Sequence, residues 1–427
     1  MEQVATVGEI LEVDAGGAVA GGRCLARHEG KVVMVAGALP GERVRVRVTR
    51  DEKRWAEADV VDVLTPHAGR RTPPCPHAAD CGGCDFQHAE REVQLAMKRD
   101  IVLDAFRRVA RLDVTPLLQG PRAIGEEFRG RNRISLSYAP IGRPGLKRRG
   151  SHHVVPIDGC LQMPEAFDEV VLPWLRMQPP WQRATARMGE AGRTAILFET
   201  GDPPNARDRK RLGHIAQESP RPPEIVGLLA DASSLAGDRE LRYVVRGRTL
   251  TADATSFFQG TAAGAEALVD TVDEFLGEDR AGLLLDVYAG VGLFCVGVGE
   301  KFERVVAGEA DGRAVRHLAR NLKAARIRGE ARAERADYTL AAVPRAERET
   351  VILDPPRVGV AKEAMRSLVV RAPRRIVSVS CDAATGARDV GALVLAGWRL
   401  ERLRAIDLFP TTAHVETVAL LVRGSDS

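Results

Sequence analysis

The chain has 427 residues, 44% of them hydrophobic and 28% charged, with a formal net charge of only +4. That length implies two or three domains with real cores, and the small net charge excludes a polycation that grips nucleic acid over its whole surface, so any such footprint is local. No apolar run approaches the roughly 18 residues of a membrane helix, and MEQVATVGEILEVDAGG lacks the basic start and apolar stretch of a signal peptide, so a cytoplasmic location and no membrane partner are expected.

Residues 1–66 read as short strands separated by Gly-rich turns such as AGGAVAGG. In VRVRVTR, Val44, Val46 and Val48 alternate with Arg45 and Arg47, the period of a half-buried strand. A small β-barrel with an RNA-binding face is expected; arginines that merely keep an edge strand soluble are the plainer alternative. Residues 67–255 form a central domain that opens on RRTPPCPHAADCGGCDFQHA. A helix is expected over roughly 90–110, with Val93, Leu95, Met97, Ile101, Val102 and Phe106 apolar. Residues 121–152 then carry eight Arg and Lys side chains against Glu126 and Glu127, with Phe128 and Tyr138 among them. Phosphate binding is the natural use of such a segment. PPEIVGLLADAS and RELRYVVRGRTLTA read as further strands.

From about residue 265, helical and strand patterns alternate as in a parallel α/β sheet. LLLDVYAGVGLF (283–294) is an apolar strand, then Asp286, then Gly290-x-Gly292, a turn that lets a ligand approach the backbone and a helix N-terminus. ERVVAGEAD (303–311) reads as the next strand and ends at Glu309, placed to accept hydrogen bonds from ribose hydroxyls. The third glycine of the dinucleotide fingerprint is missing, which disfavours a zinc- and NAD-dependent oxidoreductase. Asp-x-x-x-Gly-x-Gly is closer to an adenosylmethionine site. VILDPPR (351–357) sets Asp354 at a strand's carboxyl end, its direction fixed by Pro355 and Pro356.

Seven cysteines in a reducing compartment are metal ligands, reactive thiols or small buried hydrophobes rather than disulfides. Cys381 follows the apolar strand of RRIVSVSC and precedes a helix, whose amides favour a thiolate. Cys295 and Cys24 read as packing residues. Cys75, Cys81 and Cys84 fall together in the Pro/Cys/Gly knot. A thiolate at Cys381 could add to carbon-6 of a uracil, turning carbon-5 into an enolate carbon that attacks a methyl sulfonium. The carbon-5 proton must then leave to a base. Glu416, in the late strand HVETVALL, is the candidate, with His414 a second one two residues away.

These residues resemble, over nearly the whole chain, the bacterial RNA uracil-5 methyltransferases, in particular the iron–sulfur-containing 23S rRNA branch. The N-terminal barrel looks like a TRAM domain, and Cys75-x5-Cys81-Gly-Gly-Cys84 with Cys160 looks like that branch's four-cysteine site. FRGRNRISLSY, SFFQ, DVYAGVG, Gly308-Glu309, DPPR, SVSC and HVE follow in family order. The resemblance implies a Rossmann-like class I methyltransferase domain over 256–427 that uses S-adenosyl-L-methionine. It implies that Gln259, Tyr288, Glu309 and Asp354 hold that cofactor, along with Asp286 and the glycine turn. Cys381 is then the nucleophile and Glu416 the base; four thiolates suit either zinc or an iron–sulfur cluster, and the resemblance implies 4Fe-4S. RNA is the implied partner of a monomeric enzyme, 23S rRNA ahead of tRNA. A catalytically weak RNA-binding protein that retains the fold is the alternative from another class. Departures from the family pattern are Gly260-Thr261 after SFFQ, Ala289 and Leu293 around the glycine turn, Asp382-Ala383 after the cysteine, and Thr412-Ala413 before HVE.

Overall fold

The computed structural model describes residues 6–178, 181–199, 206–217, 220–230, 233–278 and 280–424. Alternation shapes the first unit: along the Arg43–Asp51 strand Val44, Val46 and Val48 are buried while Arg43, Arg45 and Arg47 face solvent. Six strands pair in the order Ile10–Asp14, Arg43–Asp51, Trp55–Thr65, Lys31–Ala36, Arg23–His28, Ala18–Val19. Among the described residues this ladder does not close into a full barrel. The chain is brought round instead by Gly16 N–H to Leu25 O (2.7 Å) and Leu25 N–H to Gly17 O (3.1 Å). A Cβ on Gly16 would lie 2.9 Å from Leu25 O, so this approach needs glycine. Arg43 and Arg45 are met by Glu12 and Asp62 on neighbouring strands, which leaves that part of the face with little free positive charge.

A helix over Arg91–Ala105 ends in one π-turn, Phe106–Ala110. Its buried face is Gln94, Met97, Lys98, Ile101, Val102 and Ala105, at helical spacing. Val93 and Leu95, apolar in the sequence, are only partly buried, while the polar Gln94, Lys98 and Asp104 are buried. Lys98 is fully buried and pairs with the equally buried Asp407. Its Nζ also donates to Phe409 O (2.9 Å), and the Arg91 guanidinium lies 2.9 Å from the other Asp407 oxygen.

The central unit is a seven-stranded sheet closed on one side by Phe167, Leu172 and Trp174. PPEIVGLLADAS supplies its Ile225–Ala230 strand; Asp231 and Ala232 lie outside the described residues. RELRYVVRGRTLTA folds as a hairpin, Glu240–Val245 against Arg248–Asp253, turned by Arg246 and Gly247 at φ 50 and 71.

Eight strands form the last sheet, in the order Gly329–Ala333, Arg304–Glu309, Leu283–Asp286, Glu349–Leu353, Arg375–Ser380, Glu416–Arg423, Trp398–Asp407, Leu118–Ala123. The first five are parallel, and Glu416–Arg423 runs antiparallel to both its neighbours. The edge strand Leu118–Ala123 comes from far upstream; LQGPRA has no alternation to reveal it, and Pro121 is tolerated because the strand is an edge. Chain order reverses between Leu283–Asp286 and Glu349–Leu353, the point where open α/β sheets bind ligands beyond their carboxyl ends. The first unit, the Arg91–Ala105 helix and one face of this sheet share a single core. No helix among the described residues is long and apolar enough to cross a membrane.

Candidate active site

The glycine turn follows Asp286, which is fully buried. One Asp286 oxygen accepts the Cys295 N–H (3.1 Å), and the other has no partner among the described residues. Burial pushes this carboxyl up to about 7. Gly290 and Gly292 take φ 55 and 96. A Cβ on Gly292 would lie 2.7 Å from Leu318, whereas the outer side of Gly290 is open. Gly290 N–H donates to Glu309 (3.0 Å), whose second oxygen accepts Asp311 N–H (2.8 Å), so turn and acid are locked together with lone pairs to spare. The Tyr288 hydroxyl accepts Ala361 N–H (3.3 Å). Gln259 reaches Asp354 (3.4 Å) across the crevice, while Asn132 Nδ2 and N–H hold Gln259 O and Gly260 O, each at 2.9 Å.

Cys381 and Glu416 come together through register. Ser380 pairs with Thr417 on the antiparallel neighbour, so the end of one strand meets the start of the other. Glu416 opens its strand and is 4% exposed; Cys381 is half-buried. Burial pushes Glu416 up to about 7 despite the Arg357 cation. Burial and the Glu416 charge push the Cys381 thiol up to about 11, again against Arg357. Asp354 is held well above the usual carboxylate range by burial, Glu416 and Asp286. Burial and the Glu416 charge thus work against the thiolate that helix amides would favour. The helix begins only at Ala383, and Asp382 caps it by accepting Thr385 N–H (2.8 Å), so its first turn serves Asp382 instead of the sulfur. His414 precedes the strand, is exposed and packs edge-on against Phe409, so it does not share the Glu416 face.

Cys75, Cys81, Cys84 and Cys160 line one cavity of about 200 Å³ with Gly83, Arg131 and Leu146. Gly83 N–H points at Cys81 Sγ (3.4 Å). Among the described residues no three His, Cys, Asp or Glu side chains are grouped as ligands of a single ion. Cys24 and Cys295 are buried in cores. The sequence reading missed Lys98, Gln94, Asn132 and Thr411, whose partners are distant in the chain, and gave Arg357 no part although DPPR contains it.

An open, mainly parallel sheet with a glycine turn and a ribose-height acid at its switch point is the fold of a class I methyltransferase. A family model described as tRNA (Uracil-5-)-methyltransferase matches residues 238–424, and a TRAM domain model matches residues 4–61. An uncharacterized RNA methyltransferase of Streptomyces coelicolor is 33% identical over 98% of this chain and 94% of its own length. The 23S rRNA (uracil(1939)-C(5))-methyltransferase RlmD of Aeromonas salmonicida is 32% identical over 93% of this chain and 92% of its own. The crystal structure of Pyrococcus abyssi tRNA (uracil-54, C5)-methyltransferase with S-adenosyl-L-homocysteine shares the fold, with a TM-score of 0.71 at 22% identity, covering 96% of this chain and 100% of that one. The chain belongs to the RNA uracil-5 methyltransferase family. It is an S-adenosylmethionine-dependent enzyme that methylates carbon-5 of uridine in RNA.

Proposed function

We propose that the target uridine lies in 23S rRNA and that Cys381 and Glu416 carry the chemistry. The strand register that sets Glu416 beside the end of the Cys381 strand is the observation on which this reading rests. The Cys381 sulfur, once its proton is lost, adds to carbon-6 of the uracil. Carbon-5 then takes the methyl group from the sulfonium, and Glu416 removes the carbon-5 proton so that the carbon–sulfur bond breaks and the ring double bond returns. With Glu416 titrating near 7, a usable share of it is ionised at neutral pH. Asp286, Tyr288, Gly290, Gly292, Glu309, Gln259 and Asp354 hold the donor; both Glu309 oxygens keep a free lone pair for the ribose hydroxyls.

The four cysteines fit a 4Fe-4S cluster. All four line one cavity, and the Gly83 N–H faces the Cys81 sulfur, a contact of the kind that tunes cluster sulfurs. The group would supply a structural crosslink between residues 75–84 and residue 160, since this methyl transfer moves no net electrons. The chain acts as a monomer in the cytoplasm, and the units over 1–66, 67–255 and 256–427 interlock, since Leu118–Ala123 adds the edge strand of the last sheet.

The 23S assignment follows the Aeromonas relative; the tRNA reading follows the Pyrococcus structure. Nucleoside mass spectrometry of rRNA and tRNA from a strain lacking the protein separates them. Loss of one 5-methyluridine from 23S rRNA supports the proposal, and loss only from tRNA overturns it. In vitro, Cys381→Ala is expected to abolish both methylation and covalent attachment to RNA. Glu416→Gln is expected to trap a methylated protein–RNA adduct. An active Cys381→Ala enzyme sinks the assignment and leaves a fold-retaining RNA-binding protein as the surviving alternative.

A further inference from the structure

Thr411 is a β-branched residue at φ 62, a left-handed conformation that costs it energy and that glycine would adopt freely. It is fully buried, and three separate elements over-determine it. Its N–H donates to Gln94 Oε1 (2.8 Å) on the Arg91–Ala105 helix. Its carbonyl accepts the N–H groups of Asp85 (2.7 Å) and Phe86 (2.8 Å), the residues directly after Cys84. Its hydroxyl accepts from Gln162 Nε2 (3.0 Å), two residues after Cys160. Asp85 also takes Ala413 N–H (2.9 Å), and Lys98 holds Phe409 O (2.9 Å). Every bond lands on the short loop that delivers Glu416 to the first position of its strand.

We propose that Thr411 is a positioning residue for proton removal: bonded to the cysteine-bearing loops and the Arg91–Ala105 helix, it fixes where the Glu416 strand begins. This rests on Glu416 being the base. Glycine would satisfy the turn and the backbone bonds alone; what the threonine adds is its hydroxyl's bond to Gln162 and a buried methyl group. Cys381 lies just past the end of the Arg375–Ser380 strand, outside this loop. A displaced Glu416 thus leaves thiol addition and methyl transfer intact and slows the last step. The carbon-5 proton stays, the electrons of the carbon-6–sulfur bond cannot return to sulfur, and a methylated thioether adduct accumulates.

The test uses the full-length protein, methyl-labelled S-adenosylmethionine and an unmodified 23S rRNA transcript, read on a denaturing gel. Thr411→Val keeps the shape and loses the acceptor. Its turnover should fall about tenfold to a hundredfold, with KM for RNA within about twofold and a labelled protein–RNA band that survives denaturation. Thr411→Ser, which restores the hydroxyl, should recover turnover and lose the band. Gln94→Met, which removes the acceptor of Thr411 N–H on a different element, should show the same band and keeps the test decisive should Thr411→Val not fold. Normal turnover in both variants, or lost turnover without the band, overturns the proposal. Glu416→Gln run alongside separates the two claims: no band there removes the base assignment itself, whereas a band in Glu416→Gln alone removes only the part given to Thr411.

Discussion

Glu416 carries a conflict between stability and chemistry. Its carboxyl rises from 4.5 to about 7 because it is desolvated. Below 4.5 it is neutral in both folded and unfolded chains and costs nothing. As pH climbs from there through 7, the unfolded chain ionises first, and the folded state loses up to about 3 kcal/mol relative to it. Glu416→Gln should therefore raise the free energy of urea unfolding by an amount of that order at pH 8 and by little at pH 4.5. An equal gain at both would show that the carboxylate is not desolvated. Turnover should fall as pH drops below about 7, when Glu416 takes up its proton. Arg357 lowers both Glu416 and Cys381, so Arg357→Ala should move that limb of the pH–rate profile upward. The sequence located Cys381 at its strand end from local pattern alone. It did not show the burial and the Glu416 charge that push the thiol up, because Glu416 comes from a strand 35 positions further along.

Elements are joined here by a buried ion pair. Lys98 on the Arg91–Ala105 helix and Asp407 at the end of the Trp398–Asp407 strand are both sealed from water. Lys98→Met would leave Asp407 buried with Arg91 (2.9 Å) as its remaining cation among the described residues, a loss of up to about 3–5 kcal/mol, the range for a buried charge left wholly uncompensated. The double variant Lys98→Met/Asp407→Leu should recover most of it. A denaturant double-mutant cycle measures the coupling, and additive losses would show that the two charges act independently. This pair also shows why the helix was legible and its inner face was not. Periodicity marked the helix, but a lysine reads as solvent-facing until its partner, 309 residues away, is known. The parallel strands were readable because apolar runs and the glycine turn are local signals; Leu118–Ala123 was not, since only its neighbour makes it a strand.

Across the whole molecule, a net charge of +4 has to grip a polyanion, so what matters is which cations are free. Composition singled out both the alternating arginines of the first unit and the basic segment 121–152, and could not tell them apart. Pairing separates them in part. Arg43 and Arg45 are held by Glu12 and Asp62, while Arg47 is exposed and enters no ion pair among the described residues; within the segment Arg129, Arg143, Arg148 and Arg149 are held by Asp168, Asp158, Asp80 and Asp85. Among the described residues Arg122, Arg133 and Lys147 are exposed and enter no ion pair, while Arg131 lies over the Phe409 ring at 5.3 Å. Each free cation that meets a phosphate releases counterions and steepens the salt dependence of binding by about 0.7 to 0.9 in log–log slope. Replacing Arg122, Arg133 and Lys147 together by Gln should weaken RNA binding and flatten that slope by about two. Replacing Arg43 and Arg45 by Gln, which bares the Glu12 and Asp62 carboxylates, should weaken binding in general but flatten the slope less, because neither guanidinium is free to meet a phosphate. Fluorescence anisotropy over a salt series measures both. If the Arg43/Arg45 variant flattened the slope and the triple variant did not, the RNA would have to run over the first unit's arginine face instead of the segment that Asn132 ties to Gln259.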